Sequence, residues 1–258
     1  MMGRIAFLLF ATTFVFPADL KIVHMDGVFD LDNDDLVEFL TIEDGQGQGG
    51  VVTRLGYYEI DELGYPQLLW HIDAPRQING SIADVRLTDM NGSGVPGIVV
   101  AANVRSEAAE EVELATLYYF ERIEEEFSAE PSLVLSLADL ENPQTVNNMN
   151  VLDLEGDGRE EVVVSLQGPE STLLVIAMTD GEDGPHFQER WSESLEDFSS
   201  SAGRLYAAGL DFNRDGRSDL VAFSPERNIL RLQSFLNRDG QLVRGPRLLH
   251  RVPGMSGP

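Results

Sequence analysis

Cysteine is absent from the 258 residues. Disulfides, thiolate metal sites and cysteine nucleophiles are thereby excluded within the chain, and stability has to come from packing and bound ions. Basic residues are scarce: 18 Lys and Arg stand against 44 Asp and Glu, Lys21 is the sole lysine, and the formal net charge is −26. Affinity for nucleic acid is driven by cationic side chains that displace counterions from phosphates, so this balance argues against a nucleic-acid partner. An anionic membrane surface is disfavoured by the same repulsion. Histidine occurs four times, at His24, His71, His186 and His250, never at a metal-ligand or triad spacing. No Gly-rich phosphate loop precedes a helical segment and no G-x-S-x-G elbow is present, so no motif assigns catalysis to the chain.

What the chain has is a repeated acidic loop. Four loops open at Asp30, Asp89, Asp153 and Asp211, spaced by 59, 64 and 58 residues. Each runs directly into an apolar, mostly β-branched stretch: Phe39 to Ile42, Ile98 to Ala101, Val162 to Ser165, and Leu220 to Phe223. Such stretches read as buried strands. A fixed period of this length marks an array of supersecondary units, none of which can bury its core face alone.

Within each loop, oxygen donors occupy positions 1, 3 and 5, joined in three of the four by one at position 9, and a residue suited to reversing the chain sits at position 6. The candidate ligands are Asp30, Asp32, Asp34 and Glu38 in loop one, and Asp89, Asn91 and Ser93 in loop two. Loop three offers Asp153, Glu155, Asp157 and Glu161, and loop four Asp211, Asn213, Asp215 and Asp219, with the Arg217 carbonyl as a further donor. Hard cations that take six to eight oxygens, Ca²⁺ above all, suit this donor set. Gly94, Gly158 and Gly216 permit the positive φ of a sharp reversal, while loop one places Asp35 there. Loop two is the weakest of the four, because Ser93 replaces a carboxylate and Gly97 removes the ninth-position donor; loops four and three are the strongest. An EF-hand is disfavoured because position 12 is Thr41, Val100, Val164 or Ala222 instead of a bidentate Glu, and strands flank the loops where helices would be needed.

The runs from Asp153 to Val163 and from Asp211 to Val221 resemble the FG-GAP or VCBS repeats of integrin-α-like β-propellers, over about residues 20 to 250. The resemblance implies an all-β propeller of four-stranded blades, with calcium held in the loop between the first two strands of each. Boundaries follow at about 20–78, 79–141, 142–200 and 201–252, within a domain spanning 19–258. Four wide blades close under strain, so an open arc or a portion of a larger ring is expected alongside closure. Small polar connections are expected at Gln77 to Ser81, Asn142 to Asn150 and Ser199 to Gly203, with hairpin turns at Asp44 to Gly50, Asp180 to Gly184 and Asn237 to Gly240.

Arg4 followed by the apolar run Ile5 to Phe16 has the order of a secretory leader, residues 1–18, and is too short for an ordinary membrane span. The expected protein is therefore secreted, in calcium-rich surroundings. Its aromatic residues, Trp70, Trp191 and the tyrosine pairs 57–58 and 118–119, serve blade packing or, where they face outward, a sugar or protein partner. A non-catalytic module that binds a protein or glycan in adhesion is the leading expectation, possible association with further blades or another copy included. A carbohydrate-active module and a purely structural scaffold are the alternatives.

Overall fold

The computed structural model describes residues 20–251, apart from 33, 48–49, 75–79, 107, 109–111, 125, 140, 183, 196–197, 199–203 and 227–228. The expected leader therefore lies outside the described residues, as do much of the connections at 77–81 and 199–203 and the segment 252–258. Apart from a short antiparallel pair, every strand belongs to one of four four-stranded antiparallel sheets. Sheet one holds β1 (Leu20–Phe29), β2 (Val37–Gly47), β3 (Gly50–Ile60) and β4 (Pro66–Ala74). Sheet two holds β5 (Gly80–Thr88), β6 (Gly97–Arg105), β7 (Glu113–Phe120) and β10 (Leu133–Ser136), with the two-stranded insertion β8 (Arg122–Ile123) and β9 (Glu126–Phe127) before its last strand. Sheet three runs through β11 (Thr145–Leu152), β12 (Glu161–Gln167), β13 (Ser171–Gly181) and β14 (Gly184–Leu195). Sheet four runs through β15 (Tyr206–Leu210), β16 (Asp219–Glu226), β17 (Ile229–Arg238) and β18 (Gln241–Arg251).

Every acidic loop joins the first strand of a sheet to the second. In the two middle sheets the second strand is sandwiched: Gly97 to Ala102 in β6 and Glu161 to Leu166 in β12 are buried without interruption. The phase is constant. Leu40, Val99 and Val163, each ten residues after the first aspartate of its loop, belong to the cluster shared with the following sheet. The residues nine after the first aspartate in loops two, three and four, Ile98, Val162 and Leu220, pack instead on the preceding sheet. Three hydrophobic clusters thus join sheet one to two, two to three, and three to four.

Buried side-chain hydrogen bonds stitch the first strands to one another. Asp84 accepts the Met149 amide at 2.8 Å, and Asn148 accepts the Ala207 amide at 3.2 Å. Asp84 and Asn148 each stand five residues before their loop, so the stitch repeats with the sheets. Its presence corrects one expectation. The asparagine-rich stretch 142–150 is not simply a connection, because from Thr145 it forms β11, where Asn148 also accepts from Ser165 Oγ at 2.7 Å and Asn150 donates to the Ala207 carbonyl at 2.8 Å. Cross-strand partners supply there what solvent would supply to a loop. The insertion β8–β9 was also not expected; its Phe127 packs against Tyr57 and Trp70. No helix among the described residues is long and apolar enough to cross a membrane.

Candidate metal centres in the inter-strand loops

One hydrogen-bond plan builds all four loops. The first aspartate turns both carboxylate oxygens onto the backbone amides of positions 5 and 6: Asp30 accepts from Asp34 and Asp35, and Asp89 from Ser93 and Gly94. Asp153 accepts from Asp157 and Gly158, and Asp211 from Asp215 and Gly216. This reversal needs positive φ at position 6, which is +68° at Asp35 and lies between +79° and +87° at Gly94, Gly158 and Gly216. Aspartate tolerates the left-handed region better than most residues, so loop one keeps the shape without glycine. A second positive φ follows at position 4, in Gly92, Gly156 and Arg214.

The ninth-position acid secures the other end. Glu38, Glu161 and Asp219 are buried and accept the amide of position 2, from Leu31 at 3.0 Å, Leu154 at 2.9 Å and Phe212 at 2.9 Å. Asp219 also accepts the Asn237 amide at 2.8 Å. Loop two has no such acid, and a Cβ built on Gly97 would meet the Tyr119 ring at 2.5 Å, so the ring fills that space. A carboxylate from loop three reaches loop two at a different amide: Glu160 Oε2 accepts that of position 1, Asp89, at 2.8 Å. Sequence spacing gave no sign of Glu160, because it belongs to loop three in the chain and to loop two in space.

Among the described residues, loop one is where carboxylates converge. Ligand oxygens of Asp30, Asp32 and Glu38 lie within 4.8 Å of one another, and those of Asp32, Asp34 and Glu59 do likewise. Glu59 is a contributor that the loop pattern does not contain; its signal is register, since β3 places it directly opposite Glu38. This cluster, with Glu38 buried at its base, could hold a metal ion. Burial pushes the Glu38 carboxyl above its usual range, with Asp32 and Asp30 adding to the rise. Glu59 is raised too, through loss of solvent and the charges of Asp34, Asp32 and Asp61. Hard, anionic oxygens gathered in this way suit a divalent cation, which would relieve their repulsion.

The ranking of loops expected from sequence is therefore not the one in which carboxylates gather. Loop three loses Glu155 to an ion pair with Arg190 at 2.6 Å, leaving Asp153, Asp157 and the buried Glu161. Glu161 is pushed up to about 7, by burial first and then by Glu155, Asp153 and Asp157, against the lowering effect of the Leu154 amide. In loop four Asn213 donates to Asp215 at 2.9 Å, and Asp219 spends both oxygens on amides. Asn91 and Ser93 of loop two likewise serve their own turn, Asn91 accepting the Ser93 amide at 3.0 Å.

Beside loop three lies a cavity of about 510 Å³ between sheets three and four. Trp191, Val175 and Leu242 contribute its apolar lining, and Glu155, Arg190, Asp239 and Gln241 its polar lining. Trp191 also meets Phe235 edge-on at 5.1 Å, whereas Trp70 is packed against Phe120 at 5.4 Å, so the two tryptophans serve sheet packing first.

No protein-family model matches the sequence. No curated protein matches it either. Among solved structures, the chain is similar to rhamnogalacturonan lyase YesW, with a TM-score of 0.50 and 12% identity over 83% of this chain and 49% of the lyase. The chain thus spans about half the lyase's length. A protein from Lactobacillus plantarum aligns with a TM-score of 0.35 and 13% identity over 85% of this chain and 80% of its own. At such identities the likeness to the lyase shows an all-β fold and nothing about chemistry.

Proposed function

We propose that the chain is a secreted, calcium-stabilised module of the β-propeller type, whose four sheets are blades and whose surface binds a protein or glycan without chemistry of its own. The observation that carries the reading is the convergence of five carboxylates, Asp30, Asp32, Asp34, Glu38 and Glu59, onto one loop that shares its backbone plan with three others. Anions gathered in this way destabilise the fold until a cation neutralises them. Calcium therefore acts as a clamp between the first two strands of a blade, and extracellular concentrations suffice for sites of modest affinity. The cavity beside Trp191 offers an apolar wall with hydrogen-bonding groups around it, the combination that suits a sugar ring or a side chain of a partner.

The test is calorimetric titration of the purified chain with Ca²⁺, with the melting temperature followed in calcium and in chelator. Binding of at least one ion at loop one with a rise in melting temperature supports the module; no binding and an unchanged melt reduce the loops to acidic turns. A second reading, a carbohydrate-active module, draws on the fold-level likeness to a lyase and on the raised carboxyl of Glu161 at the cavity. It predicts depolymerisation of rhamnogalacturonan by the purified chain, and a Glu161→Gln variant without it.

A further inference from the structure

Where loops one, two and three come together, a cavity of about 480 Å³ is lined from three sheets at once. Phe29 and Leu31 reach it from the end of β1 and from loop one, Leu87 from the end of β5, and Asp89, Asp153 and Glu160 from loops two and three. The three apolar side chains are half-buried, each packed against the core between sheets one and two. The carboxylates take their hydrogen bonds chiefly from loop amides: Asp89 from Ser93 and Gly94, Asp153 from Asp157 and Gly158, and Glu160 from Asp89. No arginine pairs with any of the three among the described residues, and no basic residue lines the cavity. Negative charge therefore collects beside an apolar wall with nothing to neutralise it.

Thr88 stands at the wall of the same cavity. It is 1% exposed, and its Oγ1 is buried without a hydrogen-bond partner. The residues at the same place before the other loops are Phe29, Leu152 and Leu210, so sheet two carries a hydroxyl where the repeat otherwise keeps an apolar side chain. A buried hydroxyl without a partner costs stability. A turn about χ1 brings it onto a ligand without breaking any protein hydrogen bond. Asp89, Asp153 and Glu160 are not gathered within 4.8 Å of one another as the loop-one carboxylates are, so a small ion does not bridge all three. A larger cation does, with several N–H donors on its head and an apolar stem behind it. We infer that the cavity takes the end of an arginine or lysine side chain presented by a partner protein, its stem against Phe29, Leu31 and Leu87 and its head among Asp89, Asp153, Glu160 and the Thr88 hydroxyl. This names the class of partner for the binding module and rests on that reading for the existence of a partner, not for calcium, since Glu160 and Thr88 belong to no loop's ligand set.

Calorimetric titration of the purified chain, in chelator and low salt, tests it with three compounds: N-acetyl-arginine methylamide, N-acetyl-lysine methylamide and their uncharged counterpart, N-acetyl-norleucine methylamide. At least one cationic compound should bind with Kd on the order of 0.1–1 mM, the range open to a ligand of this size, and the norleucine compound should not bind measurably. Affinity should fall severalfold at about 0.5 M NaCl, where the screening length drops to a few ångströms. Glu160→Gln, which removes a charge and keeps an acceptor, should weaken the cation about tenfold. Thr88→Val should move two readouts in opposite directions: affinity falls about three- to tenfold, while the melting temperature rises by about 2–4 °C because an unpartnered hydroxyl is gone. No binding by either cationic compound overturns the inference, as does equal binding of the norleucine compound or a Thr88→Val variant of unchanged affinity. Cation binding by a chain that takes up no calcium leaves the inference standing and removes only the calcium clamp.

Discussion

Glu160 accepts the backbone amide of Asp89 at 2.8 Å across 71 residues of chain, and its own amide donates back to the Asp89 carbonyl at 3.2 Å. This reciprocal pair joins loop two to the sheet after it. Loops one, three and four instead tie themselves internally, their ninth residue accepting the position-2 amide. Glu160→Ala leaves the Asp89 amide without its acceptor beside other carboxylates, and should lower stability by about 1–2 kcal/mol. Glu160→Gln keeps an oxygen acceptor and should lose less. Chemical denaturation of the two variants checks the order; no loss in either would mean that the backbone contact, and not the side chain, holds the loop.

Calcium dependence should reside first in loop one. Asp32 belongs to both carboxylate triads, so Asp32→Asn removes one charge from each. In chelator the variant should melt above the parent, because repulsion is relieved. In calcium the order should reverse, because the ion loses a ligand. A site filled at a hundredfold excess over its Kd contributes about 2.7 kcal/mol, and Asp32→Asn should forfeit much of that. Melting temperatures of parent and variant in both buffers decide it, and an unchanged order would place the metal elsewhere.

The second strands were readable because each acidic loop is followed at once by a short apolar run, rich in β-branched residues, that begins right after Glu38, Gly97, Glu161 or Asp219. The loop turns were equally visible in Gly94, Gly158 and Gly216. What the sequence concealed is whatever depends on register or on neighbouring sheets. Glu59 joins the loop-one cluster through its pairing with Glu38, 21 positions away in the chain. Tyr119 displaces the ninth ligand of loop two by occupying the space over Gly97. Arg190 draws Glu155 out of loop three from a strand that follows it by 35 residues. The asparagine-rich stretch that becomes β11 reads as a connection because asparagine is rare in strands; its ladder with β12 and the partners that the neighbouring first strands supply to its side chains and backbone make it a strand.

Acidity should stabilise the metal-free protein through Glu161. Its folded-state pKa, near 7, exceeds the ordinary value of 4.5. The stabilisation it contributes is therefore full below 4.5 and is lost as pH rises through 7. In chelator, the parent should lose on the order of 1 kcal/mol more than Glu161→Gln between pH 6 and 8. Bound calcium favours the ionised carboxylate, so in calcium the parent should hold its stability over that interval. Parallel pH profiles for the two proteins in chelator would remove Glu161 as the source.

Gly97 and Tyr119 make the last case, because together they account for the missing ligand of loop two. Any side chain at position 97 meets the Tyr119 ring at 2.5 Å, closer than carbon atoms approach without displacement. Gly97→Ala should therefore cost about 1–3 kcal/mol, the usual range for overpacking a filled site. Burial first, with Glu121 and Asp89 after it, pushes the Tyr119 hydroxyl up to about 12, so the ring presents a neutral group to Asp89. Shortening that ring makes room for the acid. In the double variant Gly97→Asp with Tyr119→Ala, loop two regains a ninth carboxylate beside Asp89 and Asn91, and one calcium ion more than the parent should bind by calorimetry. Tyr119→Ala alone, which opens the space without restoring the ligand, should add no site. An unchanged stoichiometry in a folded double variant would show that Ser93, at position 5, and not the ninth position, is what silences the loop.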